Sequence, residues 1–111
     1  MNEIIYERLK QAAKEKQFVS YSDLSAAISL SLTDAAGLNE LSRILEEIAD
    51  HELASGRPLL VAIIVSGKDN MPGAGLFEYA KRKGLMKSKD KDKLEFFLQE
   101  AKKVHGYWAG K

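Results

Sequence analysis

Apolar residues recur along this chain first at helical spacing, then in one unbroken run, then at helical spacing again. Residues 3–16, EIIYERLKQAAKEK, place Ile5, Leu9, Ala12 and Ala13 on one face, with Glu and Lys elsewhere, which predicts an amphipathic helix. QFVSY is short, aromatic and β-branched, and reads as a brief strand. Ser22 is placed as the N-cap of a following helix, with Asp23 favourable near its positive end. The longest helix lies within residues 31–56, with Thr33 or Asp34 as its cap and Gly56 at its end. Leu38, Leu41, Leu45, Ile48 and Ala49 give it a buried stripe, and Gly37 weakens its first turn enough to move the expected start towards Leu38.

The pattern changes after Pro58. LLVAIIV is seven apolar residues rich in branched side chains, as expected of a strand covered on both faces. SGKDNMPGAG is a turn, and LFEYAKRKG a short helix ended by Gly84. Ser88 is set as the start of a last helix, with Leu94, Phe97, Leu98, Ala101, Val104 and Trp108 on one face. One strong strand needs a partner. FVSY is the best candidate, with an extended piece around residues 74–77 as a second. The expected fold is a single α+β domain over residues 1–111, mainly helical, with one strong strand, a short partner strand and C-terminal helices.

Composition narrows the function. The chain has 111 residues, no cysteine and two histidines, His51 and His105. Without cysteine there is no disulfide, thiol nucleophile or cysteine-ligated metal. Adjacent residues such as Asp50, His51 and Glu52 face different sides of a helix, and the serines lack a neighbouring base, so neither a metal site nor an enzyme is expected. No cofactor is expected either. The loop from Ser66 to Gly75 fails both standard phosphate-binding patterns. Lys68 follows Gly67, but no glycine stands five places earlier, and Glu78 occupies the third glycine position of the dinucleotide fingerprint. No apolar run is long enough to span a membrane, and the first ten residues lack the apolar core of a secretory signal. A cytoplasmic protein is expected.

Charge divides the chain. Residues 1–60 hold six Lys/Arg against ten Asp/Glu, whereas residues 61–111 hold eleven against six. The basic residues Lys81, Arg82, Lys83, Lys87, Lys89, Lys91 and Lys93 cluster in the second half. Nucleic-acid phosphates or an acidic protein would find their attraction there.

Residues 18–80 resemble the DNA-binding domain of the O6-alkylguanine DNA alkyltransferases and their alkyltransferase-like relatives. Tyr21, Asp23, Leu24 and Ala26 stand where that family has its "sYgelA" helix. Arg43 stands for the arginine of its next helix, and Pro58 with LVAIIVSGKDNMPGAG for its proline, "PCHRVV" strand and glycine-rich turn. The resemblance implies a winged-helix-like domain with a helix–turn–helix. No PCHR is present here and there is no cysteine, which excludes alkyl transfer. What the resemblance implies is non-catalytic DNA binding, with Tyr21 and Arg43 in the matching positions. PGAGLFEYA with a late YW is similar to a set of small bacterial proteins, which implies a bacterial source but no activity.

Two functions follow. The first is nucleic-acid binding through Tyr21, Arg43, Lys68, Lys81, Arg82 and Lys83, favoured by the element order and the basic second half. The second is a protein-interaction factor, such as an immunity protein, antitoxin or adaptor, using the acidic residues Glu46, Glu47 and Asp50 against a basic partner. The four carboxylates Glu40, Glu46, Glu47 and Asp50 on the arginine-bearing helix weigh against DNA at that helix.

Overall fold

A computed structural model describes residues 1–67, 70–86 and 93–111. The first helix, α1 (Glu3–Lys14), starts where the Asn2 side chain accepts the Ile5 N–H at 3.0 Å, and it buries the expected face with Tyr6 added. Ile5 and Leu9 have no exposed surface, and full burial of such a side chain contributes about 1.5–3 kcal/mol.

Strand β1 (Val19–Ser20) leads directly into α2 (Tyr21–Ala27). The α2 cap is Ser20 rather than Ser22. Its extended backbone lets the hydroxyl accept the Asp23 N–H at 3.0 Å. Helix α3 (Ala35–Ala54) is capped by Asp34, whose carboxylate accepts the Gly37 N–H at 2.7 Å. It ends at Ser55, and Gly56 turns the chain away with a φ of +72°. The helix starts before Leu38 because Gly37 is placed by packing. A Cβ there would be driven into the Ser31 carbonyl.

The apolar run departs most from expectation. Leu60–Ile63 form a 3₁₀ helix, and only Ile64–Val65 form strand β2. Its partner sets this limit. Parallel pairing joins Val19 to Ile64 and Ser20 to Val65, and beyond Ser20 the partner chain has become α2. The run is nevertheless buried throughout, because the tight 3₁₀ turn sits among α1, α3 and α5 (Lys93–Trp108). Residues 74–77 add no strand. They open α4 (Ala74–Arg82), with Gly73 as its N-cap. Among the described residues the architecture is mainly helical with one two-stranded parallel sheet.

Two predicted stripes shift. On α3 the buried set is Leu41, Ile44, Ile48 and Ala49, while Leu38 is exposed and Leu45 half-buried. On α5, Phe97, Ala101, Val104 and Trp108 are buried, but Leu94 and Leu98 are exposed. The predicted start at Ser88 lies outside the described residues. Glu52 is also fully buried. Its Oε2 accepts from the Tyr6 hydroxyl at 2.9 Å and from Arg57 Nε and Nη2 at 3.0 and 2.7 Å. Removing Tyr6 or the half-buried Arg57 would leave the buried Glu52 carboxylate short of a partner, which is destabilising. His51 extends the cluster at the surface, with its Nε2 3.2 Å from Arg57 Nη2.

Candidate functional site

The shift on α3 opens a cleft. Leu38, Leu41, Leu45 and Ala49 repeat every three or four residues and form one wall. Leu76 and Tyr79 of α4 also line the cleft, as do Val61 and Ile64. Tyr21 and Gly73 stand together among the lining, and the cleft measures about 270 Å³. Its presence explains the exposed leucine. Leu38 borders this space and not the core.

Charged side chains bridge α3 and α4 beside the cleft. Arg82 meets Glu46 at 2.9 Å, and Lys83 meets Asp50 at 3.2 Å. The Tyr79 hydroxyl donates to Asp50 at 2.6 Å. That bond, with Lys83 and Arg82 adding to it, holds the Asp50 carboxyl below the usual aspartate range. Burial and the Asp50 bond push the Tyr79 hydroxyl well above its ordinary value. Arg43 is exposed and forks onto Glu40, with Glu47 3.9 Å from its other nitrogen. The Met1 amino group lies 3.0 Å from Glu47. Exposed ion pairs contribute about 0.2–1 kcal/mol each and are weakened by salt.

Tyr21 is tied to the glycine turn. It opens α2 half-buried, and its hydroxyl accepts the Gly73 N–H at 2.9 Å. The two segments that carried the family resemblance therefore touch. The same bond engages the Gly73 amide, so that amide is not presented to a phosphate. Lys81 sits half-buried on α4. Lys68, with Lys87, Lys89 and Lys91, falls outside the described residues.

The site residues expected for two opposing partners thus meet on one face. Arg82 and Lys83, assigned to nucleic acid, pair with Glu46 and Asp50, assigned to a basic protein. Sequence reasoning missed the cleft and the part that Leu76 and Tyr79 play in lining it. The available signal was an α3 apolar stripe wider than a single buried face requires: Leu38 and Leu45 lie to one side of Leu41 and Ile48, and Ile44 to the other. Among the described residues no cluster of His, Cys, Asp or Glu could hold a metal ion, and no helix is long and apolar enough to cross a membrane. Comparisons with protein-family models, curated proteins and solved structures find no match to this chain.

Proposed function

We propose that this protein is a non-catalytic interaction factor that binds another protein through the face shared by α3 and α4. One observation carries the reading: an apolar cleft flanked by interleaved charges of both signs. An apolar centre with a polar rim is the anatomy of a protein–protein interface. Binding driven by phosphates calls for outward-facing cations not already matched by carboxylates. Here Arg43, Arg82 and Lys83 each have a carboxylate beside them. The absence of cysteine accords with a cytoplasmic setting.

The test is selection of a random displayed peptide library on the immobilised full chain. Enriched peptides should weaken by about tenfold or more on Leu38→Asp, a change at an exposed position. Association should slow on charge reversal at Glu46 and Asp50. Absence of enrichment, or peptides indifferent to Leu38→Asp, would sink the reading.

The second reading is nucleic-acid binding by a winged-helix-like module, favoured by the Tyr21–Gly73 bond that joins the two resembling segments. A short DNA duplex should then bind with an affinity that falls steeply with salt. Changing Lys68, Lys81, Arg82 and Lys83 together to alanine should remove it. Affinity that is absent or independent of salt eliminates this mode.

A further inference from the structure

The cleft is specific enough in size and chemistry to indicate what occupies it. An apolar cavity of about 150 Å³ holds a benzene ring, whereas sites for drug-sized ligands begin at about 300 Å³. At about 270 Å³, this cleft suits one aromatic ring system and is small for a dinucleotide or an extended cofactor. Its lining is largely aliphatic, with Leu41, Leu45, Leu76 and Val61 contributed by three different elements. Among the described residues Glu46 is the one carboxylate along its lining, and Arg82 already meets it. The neighbouring charges cancel in pairs, so the complementary group is uncharged.

Two features point to a side chain on a polypeptide instead of a free ring. Gly75 is exposed beside the cleft, and a Cβ built there meets nothing within 4 Å. That leaves room at the mouth for an incoming main chain. The Tyr21 hydroxyl accepts from Gly73, which leaves its own proton to donate. Burial raises its pKa, so that proton is retained. A peptide carbonyl is the matching acceptor.

We infer that the cleft receives a single aromatic side chain from a short uncharged segment of a partner protein, with Tyr21 donating to a main-chain carbonyl beside it. The inference rests on the interaction reading above and gives its partner a chemistry.

The probes are N-acetyl-phenylalanine amide and N-acetyl-tryptophan amide, titrated into methyl-labelled full chain and followed by NMR. Leu38, Leu41, Leu45 and Leu76 methyl signals should shift together, and N-acetyl-lysine amide should bind about tenfold more weakly or worse. Gly75→Leu places a side chain in the open space at a helical position. It should abolish the shifts while keeping helix content and the thermal midpoint at or above the parent values. Aromatic amides that move no cleft methyl, or move them equally in Gly75→Leu, overturn the proposal. Indole binding as tightly as the tryptophan amide overturns its peptide component. Library peptides that need Leu38 but share no aromatic position overturn this inference and leave the interaction reading standing. A library that enriches nothing removes the interaction reading, while the amide titration still decides the chemistry of the cleft.

Discussion

Gly37 shows how a residue can look like a defect and act as a fitting. Helix propensity counts it against α3, yet the Ser31 carbonyl occupies the space where a side chain would stand. Gly37→Ala should gain about 1 kcal/mol in propensity and lose more to overpacking, for a net destabilisation of about 1–3 kcal/mol in urea unfolding. Unchanged stability would mean that the Ser31 turn yields easily. Nothing local in the sequence reveals this contact, because it joins a helix to the loop before it. The α2 cap is similar. Ser20 and Ser22 are equally good capping types, and only the extended backbone at Ser20 distinguishes them. By contrast, Asp34 and Gly56 were legible because a cap and a stop depend on neighbours along the chain.

Helices with one apolar face are legible in the sequence, α1 most clearly, since burial on one side leaves a period of 3.6. The α3 cap offers a direct measure of that local encoding. Asp34→Ala should cost about 1 kcal/mol in thermal unfolding, and Asp34→Asn much less. The run LLVAIIV was legible as buried but not in shape. Uniform apolarity carries no period, so a 3₁₀ helix and a strand look alike until the partner's length is known. The cleft was hidden for a related reason. Leu38 and Leu45 follow the same spacing as core leucines, and their partial exposure depends on where α4 lies.

Across the entire chain, the acidic first half and the basic second half were legible, but not their meeting. Folding sets Arg82 and Lys83, at the end of α4, against Glu46 and Asp50 of α3, which turns a charge asymmetry in sequence into matched pairs on one face. The Asp50 carboxyl is held below its ordinary value chiefly by the Tyr79 hydroxyl. A depressed folded-state pKa contributes stability above the unfolded aspartate value of about 3.9, lost as pH falls through the folded-state value. Asp50→Asn should therefore flatten the acid limb of the stability curve below about pH 4 and remove a small contribution at neutral pH, small because the group is largely exposed. An acid limb identical to the parent's would show that the Asp50 contacts do not persist in solution.

The two-residue sheet has a consequence in time. Val19 and Ile64 meet only after the whole of α2 and α3 has been brought back on itself, while the helices on either side can form from contacts close in sequence. Loop closure of that span is an entropic cost met before the pairing gives anything in return. The sheet should then be absent from the folding transition state. Ile64→Val, trimming a fully covered side chain at that pairing, should speed unfolding and leave the refolding limb of a chevron plot nearly unmoved. This two-residue pairing would in that case act as a latch, setting how long the folded chain lasts and not how fast it forms.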